Sequence, residues 1–255
     1  MKRHLSLAAL LFAGALASCE KNAVQDITAP APASRIKFFN FGVNAPGVHF
    51  YANDTKMTAI TSATGIESTT GTVYGGVGAG GFYTGIAPGQ YTVSGKIAAA
   101  TDKDLAIASI PVTIADGKFY SSYLSGFYDP AAKKVEGFVV EDPVPAVDYT
   151  VAYVRFVNAI SNSSPMTLFA KNTVTTSEVA LGGSIAYKAG GAFTAVPEGV
   201  YDLNTRVAGS GANVITRAAV SFLAGRVYTI GARGDITIVS ATLTNRPFLD
   251  NTTNR

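Results

Sequence analysis

The chain has one cysteine, two histidines and no tryptophan in 255 residues. A lone cysteine forms no internal disulfide, so packed sheets must hold any domain together. His4 lies in the N-terminal leader and His49 stands alone, too few imidazoles for a His-rich or Cys-based metal cluster. No metal site and no cofactor are expected. A serine or cysteine triad has only His49 for its base and no Gly-x-Ser-x-Gly elbow for its nucleophile. An excess of one charge is missing too: 20 Lys+Arg face 17 Asp+Glu, with no basic cluster, which argues against nucleic acid as a partner. Past residue 20 no apolar run reaches the length of a membrane span, and none keeps a capped 3.6-residue period. What the chain does have is 26 glycines, 47% apolar residues and abundant Thr and Val, the composition of many short strands joined by turns. This is an all-β chain.

The N-terminus carries an address. Lys2 and Arg3 precede an uncharged apolar stretch, Leu5 to Ala17, which is too short to cross a bilayer. It ends in Leu16-Ala17-Ser18-Cys19. That pattern resembles a bacterial lipoprotein lipobox, with residues 1–18 as signal peptide and Cys19 as the lipidated residue. Two or more acyl chains, at about 0.8 kcal/mol per buried methylene, hold a protein stably on a membrane. The expected location is therefore the cell envelope, on a lipid anchor. Glu20-Lys21 after the cysteine points to the outer membrane, on its periplasmic or surface face. Residues 19–34, proline-rich toward Ala29-Pro30-Ala31-Pro32, read as a tether.

The rest of the chain repeats itself. Arg35–Asn40 aligns with Tyr153–Asn158, and Phe50-Tyr51-Ala52 with Leu168-Phe169-Ala170, both at an offset of 118. Pro88-Gly89-Gln90-Tyr91 matches Pro197-Glu198-Gly199-Val200-Tyr201 with one insertion, and Gly117–Tyr120 matches Gly225–Tyr228. A period near 110 residues is domain-sized, hence a tandem duplication. In both copies the strand at Tyr91 and Tyr201 alternates apolar and polar positions. The first strand places Ile36 and Phe38, or Val154 and Phe156, inward, with Lys37 and Arg155 on the wetter face. About seven strands per copy point to two antiparallel β-sandwiches of immunoglobulin-like or transthyretin-like type. Their expected bounds are 35–141 and 153–245, with 142–152 as a semi-rigid proline-containing linker and 246–255 as a polar tail.

Ile36-Lys37-Phe38-Phe39-Asn40, Asn44-Ala45-Pro46-Gly47-Val48 and Pro88-Gly89-Gln90-Tyr91-Thr92-Val93 carry a resemblance. They are similar to the bacterial extracellular domains called domain of unknown function 4397. The second copy keeps Val154–Asn158 but has Asn162-Ser163-Ser164-Pro165-Met166 in the proline turn. The resemblance implies an exported β-sandwich and carries over no catalytic residue. A lipobox, a tether and tandem domains together also resemble envelope lipoproteins of the Bacteroidota.

Candidate sites are few. Gly75–Gly81 is glycine-rich but lacks a Gly-Lys-Ser/Thr ending, so it reads as a loop and not as a phosphate cradle. Asp102-Lys103-Asp104 offers too few oxygens for calcium and reads as a solvated turn. Asn40 and Asn158, at equivalent points after a strand, read as side chains bonding turn backbone. In the aromatic run Phe119, Tyr120, Tyr123, Phe127, Tyr128, most rings are expected to pack in the sandwich. Tyr83, Tyr123 and Tyr128 are the candidate ligand contacts. The expected function is a non-enzymatic binding or structural module with an unknown glycan or protein ligand. The rivals are a glycan-binding accessory lipoprotein in polysaccharide uptake and a hydrolase using paired carboxylates.

Overall fold

The computed structural model describes residues 32–58 and 69–255. The expected signal peptide, the expected lipidation site at Cys19 and the expected tether as far as residue 31 lie outside the described residues. Residues 32–255 form one compact unit. Among the described residues there is no α-helix, only strands and one short 3-10 turn at Gly78–Gly81.

The two copies match strand for strand. The first comprises β1 (Arg35–Asn40), β2 (Val48–Ala52), β3 (Thr55–Lys56), β4 (Gly76–Val77), β5 (Thr84–Gly85), β6 (Gly89–Ile97), β7 (Ala106–Ile114), β8 (Phe119–Asp129) and β9 (Lys134–Glu141). The second comprises β10 (Ala152–Asn158), β11 (Met166–Asn172), β12 (Glu178–Ile185), β13 (Ala189–Gly190), β14 (Thr194–Val196), β15 (Gly199–Val207), β16 (Ile215–Phe222), β17 (Val227–Arg233) and β18 (Phe248–Thr253). One sheet of each copy runs β4-β1-β8-β9 or β13-β10-β17-β18; the other runs β3-β2-β6-β7 or β12-β11-β15-β16. Both copies are β-sandwiches. Within the otherwise antiparallel sheets one pair is parallel in each copy, β1 with β8 and β10 with β17, in the same register. Arg35 faces Phe119 as Tyr153 faces Val227.

The duplicated signatures serve local joints. Asn40 Nδ2 donates to the carbonyls of Pro46 (3.0 Å) and Thr72 (2.9 Å), and Asn158 Nδ2 to that of Ile185 (3.2 Å). The hydroxyls of Tyr120 and Tyr228 accept from the amides of Ala115 (3.1 Å) and Leu223 (3.2 Å), fixing the turn before β8 and β17.

Three expectations are corrected. Residues 246–255 are not a free tail: Phe248–Thr253 is β18, paired along its length with β17, and Leu249 is fully buried in the second core. It is the counterpart of β9, and without it β17 would lack its outer neighbour. Nor do residues 142–152 hold the copies apart. The Asp142 amide donates to the Phe119 carbonyl (2.7 Å), Asp142 is buried, and Ala152 already belongs to β10. Lys37 and Arg155 lie on no wet face, each being 1% exposed.

The three corrections share one cause. Each copy has its own core, Phe38 stacked on Phe50 in the first and Phe156, Leu203 and Phe222 in the second. A third core lies between the copies, where Phe39, Phe41, Tyr123 and Phe138 meet Val157 and Ala159. The outer face of β4-β1-β8-β9 therefore packs on that of β13-β10-β17-β18, giving four stacked layers. Sheets buried on both faces carry continuous apolar runs, which is why Phe38-Phe39 and Phe156-Val157 are adjacent pairs.

The sister faces have diverged into complementary sizes. Equivalent registers put Tyr123 against Gly231, Phe39 against Val157 and Phe41 against Ala159 in the repeat. The first copy supplies the rings: Phe39, Tyr123 and Phe138 stack at centroid distances of 4.4 and 5.0 Å. The second supplies the space, and a Cβ on Gly231 would lie 2.8 Å from Phe41 Cε2. Gly231→Ala is accordingly expected to lower stability by about 1–3 kcal/mol, the usual range for overpacking. Melting of Gly231→Ala alone and combined with Phe41→Leu checks this. The second change should restore part of the loss, and strictly additive losses would contradict the contact.

Candidate functional site

The charged side chains that the two copies bring together lie in this seam. β1 places Lys37, and β10 places Arg155, at the same register position with their side chains directed at the sister copy. Each reaches across to a matching carbonyl. Lys37 Nζ donates to the Thr253 carbonyl (2.8 Å), and Arg155 Nη1 to the Glu141 carbonyl (3.0 Å). Glu141 and Thr253 are themselves equivalents, opposite Tyr120 and Tyr228. Each cation also rests on an aromatic ring of its own copy, Lys37 on Tyr83 (4.4 Å) and Arg155 on Phe193 (4.9 Å), which stand one residue before β5 and β14. The seam is thus close to two-fold, as in an interface between identical subunits.

The symmetry breaks at its centre. Asp142 and Asn254 are equivalents, since their amides donate to the carbonyls of Phe119 and Val227 (2.7 Å each). Ser121 Oγ donates to Asp142 Oδ2 (2.7 Å), as Asn254 Nδ2 donates to Thr229 Oγ1 (2.8 Å). Only Asp142 carries charge. It forms an ion pair with Arg155 Nη2 and accepts from the Tyr83 hydroxyl (2.6 Å), while Arg155 Nε donates to Thr229 Oγ1 (3.0 Å). One buried carboxylate thus stands with two buried cations. Asn254 carries no charge and its Oδ1 has no hydrogen-bond partner among the described residues.

Burial drives the Lys37 ammonium down to about 8, against an attraction to Asp142 that raises it and a repulsion from Arg155 that lowers it further. Burial, with the Asp142 charge and the hydrogen bond to it, pushes the Tyr83 phenol far above its ordinary value, so it stays protonated and donating. A second ion pair flanks the seam. Arg233 Nε donates to Asp250 Oδ2 (2.5 Å), and its guanidinium lies over Tyr74 of the first copy (4.9 Å). Gly75 permits that approach at φ +77°, where a Cβ would lie 2.9 Å from Arg233 Cζ. On the opposite flank the Tyr187 hydroxyl donates to Glu136 Oε2 (2.8 Å) and shares a hydrogen bond with Ser125 (2.9 Å).

The candidate ligand contacts have separate fates. Tyr123 is 0% exposed inside the ring stack and presents no face to a ligand. Tyr128 is half-buried against the first core. Tyr83 is committed to Asp142 and Lys37, yet it also lines a cavity of about 650 Å³ at the seam. His49 is buried in β2, a packing position. Asp102 pairs with Lys133 (2.6 Å) in an exposed turn. Residue reasoning passed over the buried trio of Lys37, Asp142 and Arg155. The signal was present in the basic residue repeated at one register position and in the apolar Phe39 and Val157 two residues further along the same face.

The chain belongs to the family described as "Domain of unknown function (DUF4397)", which matches over residues 34–168 and 152–255. The second match spans the second sandwich; the first spans the first sandwich and runs on through β10 into β11, so the two overlap. No curated protein matches the chain. Among solved structures it matches one described as "The Bacillus anthracis TIE protein", at 14% identity and a TM-score of 0.25, covering 78% of this chain. The chain spans about a third of that protein's length, 33%.

Two outcomes follow from the seam. Asp142→Asn leaves Arg155 buried without its counter-charge and is expected to cost about 3–5 kcal/mol. Asp142→Asn with Arg155→Met should recover much of that loss in urea unfolding; a single-variant loss below about 1 kcal/mol would contradict the pairing. Lys37 gives a pH signature. Its folded-state value lies below the ordinary 10.5, so the unfolded chain binds more protons between about 8 and 10.5 and stability rises with pH there. Relative to Lys37→Met, the wild type should gain about 2 kcal/mol between pH 7 and 9.5. A flat difference would contradict the burial of the charged amine.

Proposed function

We propose that this chain is a lipid-anchored envelope protein that acts without catalysis, as a stiff double sandwich presenting its outer surfaces to a binding partner. The observation that carries this reading is the use made of the seam's charged groups. Both Asp142 oxygens are taken, by Arg155 and by Tyr83 with Ser121, so the buried carboxylate is held as a joint and is not free to shuttle a proton. The paired carboxylates that hydrolysis of a sugar bond requires, roughly 5–10 Å apart across a cleft, are not what this cluster supplies. Among the described residues, no group of three or more His, Cys, Asp or Glu side chains is arranged to hold a metal ion.

Placement rests on the leader. No helix among the described residues is long and apolar enough to cross a membrane, and acylation of Cys19 would supply the attachment, with the segment up to residue 31 as tether. The outer membrane, on its periplasmic or surface face, is the proposed site. Duplication then serves rigidity: the copies pack into one body and give the partner a fixed surface.

The experiment is fractionation of cells producing the wild type and Cys19→Ser, followed by incubation of the purified protein with a panel of polysaccharides. The expected result is loss of the variant from the membrane fraction and no release of reducing ends. A variant retained as tightly as the wild type would overturn the anchor, and released reducing ends would overturn the non-catalytic reading.

A further inference from the structure

The cavity at the seam is bordered by residues of both copies. Lys37, Phe82 and Tyr83 come from the first; Arg226, Asn251 and Asn254 come from the second. No aspartate or glutamate lines it. Three features bear on what would fit there.

The first is charge. The seam holds two buried cations and one carboxylate, and the position equivalent to Asp142 is the neutral Asn254, on the cavity wall. A lysine ammonium has three N–H donors. That of Lys37 gives one to Thr253 and lies over the Tyr83 ring, which leaves donors for an anion. Arg226 is exposed at the rim and enters no ion pair among the described residues.

The second feature is Phe82, 76% exposed at the mouth of the cavity. It follows the glycine-rich segment, in which Ala79 (φ 50°), Gly80 (φ 64°) and Gly81 (φ 86°) hold left-handed backbone. Such a turn stands the ring out from the surface, and an aromatic face held in water suits stacking on an apolar ring face. The third is the pair of amide side chains in the wall, Asn251 and Asn254, whose Oδ1 atoms are buried and have no hydrogen-bond partner among the described residues.

A cation-bearing cavity with an exposed ring at its rim and amides in its wall matches a sugar that carries a carboxylate. We infer that the seam cavity binds an acidic saccharide, with the carboxylate directed to Lys37 and Arg226 and a sugar ring stacked on Phe82. This rests on the binding-module reading above and names the ligand class of that module. It extends the role of the glycine-rich segment from a plain loop to the mount of a recognition ring.

The test is isothermal titration of the full chain at pH 7 and low salt with trigalacturonate, with neutral galactotriose, and with acetate and inorganic phosphate as bare anions. Trigalacturonate should bind at least tenfold more tightly than galactotriose. Phe82→Ala and Arg226→Gln, both at exposed positions, should each weaken it tenfold or more without lowering the melting temperature. Asn254→Asp, which places a carboxylate at the second equivalent position, should also abolish binding. Equal affinity for acidic and neutral sugars, no binding of either, or acetate or phosphate bound as tightly as trigalacturonate would overturn the assignment. Because titration reads the purified chain, such a failure alongside loss of Cys19→Ser from membranes would sink the cavity and spare the anchor.

Discussion

The structure depends on one buried carboxylate set between sister sheets. Asp142 leaves the end of the first copy's last strand and meets the guanidinium from the second copy's first strand. A charge in that position is costly unless every oxygen is used, and here hydroxyls of Tyr83 and Ser121 complete the set. The pair therefore favours one arrangement of the two sandwiches: sliding the sheets by a residue would leave a buried cation and a buried anion unmatched. Lys37 makes the reciprocal reach into the second copy, so the seam is tied from both sides.

Around that polar centre the duplicated halves have come to fit each other. Two identical faces would set ring against ring at Tyr123, Phe39 and Phe41. The second copy instead places Gly231, Val157 and Ala159 at those equivalent positions, so the aromatic stack of the first has somewhere to go. Close packing of this kind tolerates little change in volume. The same divergence shows in the aromatic run of the first copy: of its rings only Tyr123 lies in the seam, where the second copy has Gly231, while Tyr120 and Tyr128 pack on the first core and Phe127 is exposed. Charge has diverged in parallel, with aspartate in one copy and asparagine in the other.

Much of the architecture was legible in the residues. The repeat landmarks, the alternation at Tyr91 and Tyr201 and the turn-bonding roles of Asn40 and Asn158 are local patterns, and local hydrogen bonds and pleating fix them. What was not legible depends on contacts between the copies. Lys37 and Arg155 read as solvent-facing because alternation distinguishes two faces without saying what covers the second one. Phe248–Thr253 read as a tail because Asp250 and Asn251 are poor strand formers and no apolar–polar alternation marks the segment. The strand exists because β17 offers it an edge and Asp250 a partner in Arg233. Tyr123 looked available for a ligand for the same reason that the seam was invisible: nothing in its neighbours along the chain reports a sheet arriving from the second copy. Phe82 drew no notice because it stands just past a run of glycines, where a single ring has no periodicity to join.

The central claim is that the two sandwiches are one body. Differential scanning calorimetry of the full chain tests it most directly, through the ratio of the calorimetric to the van't Hoff unfolding enthalpy. A single transition with a ratio near one is the predicted result, since loss of either copy strips the seam from the other. Two resolved transitions, or a ratio near two, would mean that the copies unfold independently and would contradict the account.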